Sequence, residues 1–96
     1  MKNSIIPFLV EKEEISKFTF PKIEVLVDEK AISTRTKNLL KGLKLGNVFK
    51  NKVEIFFEDN ESLKKVETTI WSITENYLIL KRNTVIPINR VHSIAI

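Results

Sequence analysis

The spacing of hydrophobic residues along this chain changes near residue 50, from a helical period to a strand period. Before that point, five positions fall at i, i+4, i+7, i+8 and i+11, which predicts one apolar stripe that docks on a sheet. After it, apolar and polar residues alternate. The helical stripe consists of Ile32, Thr36, Leu39, Leu40 and Leu43.

Capping residues set the ends of the predicted helix. Asp28 is able to accept a hydrogen bond from the first turn, and Gly46 followed by Asn47 supplies a left-handed stop. We therefore predict a helix from about residue 29 to residue 45. Gly42 lies in its interior and costs about 1 kcal/mol relative to alanine, so we expect it to mark a close contact.

The strand part begins where Val53, Ile55 and Phe57 alternate with more polar neighbours, which is typical of a strand with one buried face. Further along, Arg82 and Asn83 form a predicted two-residue hairpin in which Asn83 takes positive φ. The five predicted strands cover residues 53–58, 64–74, 77–81, 84–88 and 91–96.

The second of these strands changes its alternation. Val66, Thr68 and Ile70 give way to Trp71 and Ile73, and such a switch suits the bend or bulge by which one strand serves both halves of a small barrel. Five short strands within 45 residues also favour such a barrel. The predicted fold is mainly β with one helix (α+β): a five-stranded SH3-like or Sm-like small barrel, preceded by an amphipathic helix and an extended N-terminal arm.

The predicted organisation has two parts. Residues 1–28 form the extended N-terminal arm or edge strands, because Pro21 interrupts their apolar positions. Residues 29–96 hold the helix and the barrel as one globular domain. With 96 residues, such a chain buries only about two thirds of the surface that its unfolded form exposes. Self-association would add stability, so a homo-oligomer is one expected assembly.

Composition excludes several classes of protein. The chain has 43% hydrophobic and 29% charged residues, which is typical of a soluble globular domain. It has no cysteine and one histidine, so disulfides and the usual zinc sites are ruled out, and a cytoplasmic location is expected. The apolar run at residues 5–10 is too short for a membrane span or a signal-peptide core.

Positive charge is concentrated in one segment. Residues 29–52 hold seven Lys or Arg against one Asp or Glu, although the net charge of the whole chain is +4. The four helical lysines fall within about 60° of one another on the helical wheel. Such a stripe can track phosphates through counterion release, and the alternative is a merely solvated face. The stripe and its continuation consist of Lys30, Lys37, Lys41, Lys44, Lys50 and Lys52.

A basic helix followed by five strands in this order resembles the Sm-like barrels, and the chain from about residue 39 onwards resembles their bacterial Hfq branch. The likeness lies in LLKGLKLGNVFKNKVEIFFED, YLILKRNTVIPI and NRVHSI. It implies a ring that joins the fourth strand of one subunit to the last strand of the next, and contact with uridine-rich RNA near Asn89, Arg90 and His92. Pro87 lacks an amide hydrogen for such a joint, and a Tudor-like or SH3-like barrel explains the same pattern.

Exposed aromatic rings would add stacking platforms for bases. Alternation turns Phe56 away from the buried face of its strand, so it is the best candidate. Tyr77 is a second candidate, whereas we expect Trp71 to be buried beneath the helix or the arm. His92 has no evident catalytic partner, so we expect a partly exposed strand residue and no enzyme.

The acidic residues of the strand part are expected on exposed faces and loops, where charge discourages sheet-to-sheet pairing. Together they would make one end of the molecule acidic, which would steer a protein partner or a sister subunit. These residues are Glu54, Glu58, Asp59, Glu61, Glu67 and Glu75.

Two functions fit these observations. The first is a non-enzymatic nucleic-acid-binding barrel that engages RNA or another single strand through the basic helix face. The second is a protein interaction or homo-oligomeric assembly module, in which the arm or an open strand edge pairs with a partner. No catalytic residue, metal, cofactor, small-molecule substrate or membrane partner is predicted. The predicted nucleic-acid contacts are Lys30, Lys37, Lys41, Lys44, Lys50, Lys52, Arg82, Arg90 and Phe56.

Overall fold

A computed structural model describes residues 6–96 of the protein. Within that range the chain forms one α-helix, α1 (Glu29–Lys44), and seven short strands, so the fold is a compact α+β arrangement. The strands are β1 (Phe8–Leu9), β2 (Val53–Glu58), β3 (Leu63–Thr68), β4 (Ile70–Ile73), β5 (Tyr77–Leu80), β6 (Val85–Pro87) and β7 (Val91–Ala95).

The strands form two separate sheets. The first has the order β1-β3-β2-β7, in which β1 runs parallel to β3 and the other pairs are antiparallel. The second is the antiparallel sheet β4-β5-β6. No strand pairing joins the two sheets in the described range, so they are not closed into a barrel. The coarse prediction of one helix with a mainly β remainder is confirmed, whereas the five-stranded barrel is not.

The predicted second strand, residues 64–74, is divided between the two sheets. β3 ends at Thr68, β4 begins at Ile70, and the pairing of β4 with β5 shifts its register between Ile70 and Ser72. Trp71 falls at this irregularity and is 48% exposed. The expectation that Trp71 is buried is therefore wrong, because the extra residue of a bulge leaves the inward alternation of its strand.

Alternation in β2 predicts its buried face correctly. Val53, Ile55 and Phe57 are at most 2% exposed, whereas the residues between them are partly exposed. Their partners come from both sheets, from α1 and from the N-terminal segment. The buried core consists of Val10, Ile15, Leu39, Val53, Ile55, Phe57, Val66, Ile70, Leu78, Leu80, Ile86, Val91 and Ile94.

Helix α1 begins as predicted and ends differently. The carboxylate of Asp28 accepts a hydrogen bond from the amide of Lys30 at 3.2 Å, which satisfies a free donor of the first turn. At the other end the chain continues as a π-helical turn, Leu45–Phe49. The left-handed residue that stops it is Lys50, with φ 58°, and not Gly46. No helix within residues 6–96 has the length and apolar character needed to cross a bilayer.

The buried face of α1 is rotated relative to the predicted stripe. Its buried residues are Arg35, Leu39 and Gly42, whereas Thr36 is exposed and Leu40 is 55% exposed. On a helical wheel at 100° per residue, the centre of the buried face lies about 77° from the centre of the predicted one. Hydrophobicity therefore identified the helix and its core contacts at Leu39 and Leu43, but placed the centre of the buried face too close to Leu40.

Two glycines explain this orientation. A Cβ atom on Gly42 would lie 2.9 Å from Cδ1 of Ile70 and 3.0 Å from Cδ1 of Ile94. A Cβ atom on Gly46 would collide with the main-chain oxygen of Ile70. The expected close contact at Gly42 is confirmed, and the glycines let the helix backbone approach β4 and β7 more closely than larger residues would.

The N-terminal segment contributes to the core. β1 adds a two-residue parallel strand to the edge of β3. Ile15, within the 3-10 turn Lys12–Lys17, is 1% exposed. The rings of Phe18 and Phe20 pack against Phe57 at centroid distances of 6.3 and 6.1 Å. The predicted arm therefore packs into the interior in its described part, and its first five residues lie outside the described range.

Candidate nucleic-acid interface

Six exposed lysines lie on the solvent side of α1 and on the turn that follows it. The four helical ones are centred about 160° from the centre of the buried face. Among residues 6–96, none of the six has a carboxylate oxygen within 4.0 Å of its ammonium nitrogen. We call this set the lysine face, and it consists of Lys30, Lys37, Lys41, Lys44, Lys50 and Lys52.

The lysine face is a linear array of uncompensated charge. At a rise of about 1.5 Å per residue, Lys30 and Lys44 are separated by about 21 Å along the helix axis. Lys37 and Lys41 are four residues apart, a spacing at which like charges destabilise a helix. The helix dipole offsets part of this cost for Lys41 and Lys44 near the C-terminus, but not for Lys30. An anionic ligand would relieve the repulsion that the chain itself leaves in place.

Arg82 belongs to another part of the surface. It lies at the tip of the β5–β6 hairpin, where Arg82 and Asn83 both adopt positive φ, of 66° and 60°. The predicted hairpin and the positive φ of Asn83 are confirmed, but the loop has three residues, Lys81–Asn83, and not two, because the amide of Leu80 already donates to the oxygen of Thr84 at 2.7 Å. A main-chain hydrogen bond and the Lys12 side chain lower the pKa of Glu13, with a smaller contribution from Arg82. Arg82 therefore has an acidic neighbour in the N-terminal 3-10 turn.

Arg90 is buried, with 6% of its surface exposed. Its guanidinium donates hydrogen bonds to three main-chain oxygens, those of Glu58 at 3.0 Å, Ile23 at 2.7 Å and Asp59 at 3.3 Å. It therefore ties the N-terminal segment to the end of β2. Since its donors face inward, we do not include Arg90 in the candidate interface.

Arg35 is the cation of α1 that faces inward. Its two terminal nitrogens each donate to a carboxylate oxygen of Glu24 at 2.7 Å, and one also donates to the carbonyl of Val91 at 2.9 Å. The Arg35 hydrogen bonds lower the pKa of Glu24 against the opposing effect of burial. Nε of Arg35 is buried without a partner in the described part of the chain. Arg35 thus joins the helix, the N-terminal segment and β7.

The outer side of the first sheet carries two further predicted residues. Phe56 is partly buried, and the ammonium of Lys65 lies 5.9 Å from its ring centroid. His92 is partly exposed, as predicted, and its Nε2 lies 2.8 Å from Oε1 of Glu58. Phe56 therefore already has a cation over its ring, and His92 has a carboxylate partner that the sequence did not indicate.

The expectation of an exposed acid at Asp59 is wrong, because this residue is only 3% exposed. Its carboxylate accepts hydrogen bonds from the ammonium of Lys64 at 2.8 Å and from the amides of Glu61 and Ser62 at 3.0 Å. Burial alone would raise the pKa of Asp59, but these bonds outweigh it and the pKa is lowered. Asp59 is a structural acid that organises the β2–β3 turn.

A cleft with a volume of about 590 Å³ lies between the N-terminal segment and the β4–β5 and β6–β7 connections. Its charged side chains are two cations and two carboxylates, and one cation, Arg35, is already paired with Glu24. A polyanion therefore has a weaker electrostatic attraction to this cleft than to the lysine face. Its polar lining includes Lys22, Glu24, Arg35, Glu75, Asn76 and Asn89.

Phe49 is the residue of this region that the sequence analysis missed. It is 61% exposed at the end of the π-helical turn, between Lys44 and Lys50. No periodic pattern includes it, because it belongs neither to the helical stripe nor to β2. The available signal was an aromatic residue in a polar connector flanked by lysines.

Neither a metal site nor a family relationship identifies a function for the described residues. In the range 6–96, no three His, Cys, Asp or Glu side chains are grouped so that they could hold a metal ion. Comparisons with protein-family models, with curated proteins and with solved structures found no match for the chain. The Sm-like resemblance therefore stays a prediction, and the function has to be inferred from geometry and charge.

Proposed function

We propose that this protein binds RNA or another single-stranded nucleic acid, without catalysis, through the lysine face. The observation that carries the proposal is the set of six exposed lysines that lack carboxylate partners in the described range. When ammonium groups contact phosphates, they displace the counterions condensed on the nucleic acid. This release favours binding and does not depend on the base sequence.

The inner contacts of α1 support this proposal because they fix the lysines in space. Arg35 is hydrogen-bonded to Glu24 and Val91, and Gly42 and Gly46 lie against β4 and β7. The backbone of the helix is therefore held, and only the lysine side chains have to be ordered on binding. A polyanionic ligand therefore meets a preformed array of cations.

The fold that we propose is an Sm-like small barrel that is open along one seam. Two observations support this idea: Thr69 alone separates β3 in one sheet from β4 in the other, and a 3-10 turn, Ile88–Arg90, links β6 to β7. Small barrels turn corners in these ways. The absence of cysteine favours a reducing compartment, and we propose the cytoplasm.

The proposal is tested by fluorescence anisotropy with a labelled single-stranded RNA of about 20 nucleotides, a length that exceeds the site size of most small barrels. We expect binding that weakens steeply with salt, with a slope of log affinity against log salt of about −4 for six lysines. Absence of binding at both low and moderate salt would overturn the proposal.

A matched pair of variants locates the site. Lys37→Glu/Lys41→Glu reverses two charges of the lysine face, whereas Lys17→Glu/Lys81→Glu reverses two exposed lysines elsewhere. Both proteins have the same net charge. We expect the first to bind about tenfold more weakly, or worse, and the second to change affinity about twofold. Equal losses would mean that total charge, and not the lysine face, determines binding.

A second candidate function is assembly with further copies of the chain. β6 pairs only with β5 and β7 pairs only with β2 within the described range, so each sheet has an edge with free backbone groups. Val85 on β6 is 43% exposed and Ile96 after β7 is 64% exposed. Such edges add strands from a partner. Light scattering is expected to give a mass above that of one chain, and Val85→Lys is expected to reduce it; a strict monomer would exclude this candidate.

A further inference from the structure

Phe49 is an exposed aromatic residue on a hydrogen-bonded backbone turn. It is 61% exposed and Val48 beside it is 60% exposed. The amide of Lys50 donates to the oxygen of Gly46 at 3.1 Å, and the amide of Asn51 donates to the oxygen of Leu45 at 3.3 Å. These bonds fold the chain back onto the last turn of the helix. Phe49 is thus presented by a closed turn and not by a long loop.

Four of the five other phenylalanines already have partners, and the fifth, Phe8, lies on β1 at the edge of β3, outside the lysine face. Phe18 and Phe20 pack against Phe57, and Phe56 lies beneath the ammonium of Lys65. In the range that the structure describes, Phe49 has neither an aromatic neighbour nor a cation over its ring. Its π face is therefore available to a ligand.

The position of Phe49 along the chain couples this ring to the lysine face. Lys44 precedes the π-helical turn, and Lys50 and Lys52 follow it, so three residues of the lysine face lie within five positions of Phe49 along the chain. A ligand at this end of the face meets cations and an aromatic ring together. A ligand that offers only phosphates would contact the lysines and leave the ring of Phe49 exposed to water.

We propose that Phe49 is a base-stacking platform at the end of the lysine face, and that the ligand is therefore single-stranded nucleic acid in preference to a duplex. This inference rests on the proposed function. An unpaired base can swing onto an aromatic ring, whereas a base inside a duplex has both faces covered by its neighbours. Lysines bind the phosphates of either ligand, so Phe49 is the residue that favours the single strand.

The expected effect follows from stacking. Loss of one base–aromatic stack weakens binding by about tenfold, and the salt dependence stays the same because no charge is removed. The test compares wild type, Phe49→Leu and Phe49→Trp on a labelled RNA single strand and on its duplex. Phe8→Leu is the matched control, because Phe8 is also a phenylalanine and is 63% exposed on β1.

We expect Phe49→Leu to lose about tenfold in affinity for the single strand and less than about twofold for the duplex, with Phe49→Trp retaining both. Phe8→Leu should bind as wild type does. If wild type binds RNA and Phe49→Leu binds equally well, the stacking inference is wrong and the proposed function stands. If wild type binds neither strand form, the proposed function fails as well. Binding to phosphatidylserine vesicles in place of RNA would overturn both.

Discussion

The two faces of α1 both carry positive charge, but they differ in whether that charge is paired with a carboxylate of the protein. On the inner face, Arg35 is 5% exposed, and its guanidinium is bonded to the carboxylate of Glu24 and the carbonyl of Val91. The four lysines of the outer face, and the two that follow the helix, have no carboxylate within 4.0 Å among the residues that the structure describes. One cation has its counter-ion inside the protein, and the others do not.

This difference follows the chemistry of the two side chains. The planar guanidinium matches a carboxylate with two parallel hydrogen bonds and is weakly hydrated, so it suits a buried pair. The lysine ammonium is a mobile, strongly hydrated point charge, so it suits an exposed contact with phosphate. Changes on the inner face should therefore alter stability and spare binding, whereas changes on the outer face should do the reverse.

Arg35→Ala tests the inner face most severely. It removes the donor of the Val91 carbonyl and leaves the Glu24 carboxylate with the amide of Leu26, at 3.1 Å, in place of the guanidinium. Breaking a buried pair costs about 3–5 kcal/mol, and the 32% exposure of the Glu24 side chain lets water compensate part of it, so we expect about 3 kcal/mol. Urea unfolding measures this loss. Lys30→Ala is the exposed control, and its unfolding free energy should lie within about 0.5 kcal/mol of wild type. A loss below about 1 kcal/mol for Arg35→Ala would show that the pair is not structural.

The two glycines separate backbone contact from side-chain contact. Gly46→Ala places Cβ against the main-chain oxygen of Ile70, which cannot move independently, so we expect a loss of about 2 kcal/mol. Gly42→Ala meets only the flexible side-chain ends of Ile70 and Ile94, and alanine favours the helix by about 1 kcal/mol, so we expect a change near zero. Thermal and urea unfolding measure both changes. A larger loss of stability for Gly42→Ala than for Gly46→Ala would contradict this docking geometry.

Much of the fold was predictable where a period was strong. The alternation at Val53, Ile55 and Phe57 placed β2 and its buried face, and Asp28 placed the start of α1. The hairpin at Arg82 and Asn83 followed from turn chemistry. In each case a few adjacent residues determine the local structure, and the tertiary packing is consistent with that local preference.

The parts that could not be predicted depend on contacts between distant segments. The orientation of α1 is set by glycines, which have no hydrophobic signal, and by Arg35, whose partner Glu24 is eleven residues earlier. Arg90 was expected at a binding surface, yet its position is set by carbonyls of Ile23 and Asp59. At the candidate site the six lysines were identified from the sequence, whereas the ring of Phe49 was not.

Acid should weaken the inner face of α1. The hydrogen bonds from Arg35 hold the pKa of Glu24 below its usual value of 4.5, against the opposing effect of burial. A carboxyl whose pKa is lowered in the folded state contributes stability above the unfolded-state value, and that contribution is lost as pH falls through the folded-state value. Glu24→Gln should therefore be less stable than wild type near neutral pH and should show a smaller loss on acidification. Parallel curves for the two proteins in urea unfolding from neutral to acid pH would contradict the pairing.

Neutralising the lysine face should have little effect on the fold. The side chains of Lys37, Lys41 and Lys44 are exposed and make no ion pair in the described range, so their joint replacement by alanine should change unfolding free energy by about 0.5 kcal/mol or less. Removal of like-charge repulsion and the better helix propensity of alanine both act in the stabilising direction. A loss of several kcal/mol in urea unfolding would mean that these lysines pack against the protein.

The salt dependence of RNA affinity for this same triple alanine variant, beside wild type, tests the division between the two faces most directly. Because each lysine contact to a single strand contributes about 0.7 to the slope of log affinity against log salt, the slope should fall by about 2 while the unfolding curve is retained. An unchanged slope and affinity in a fully folded triple variant would contradict the assignment of the lysine face to nucleic acid.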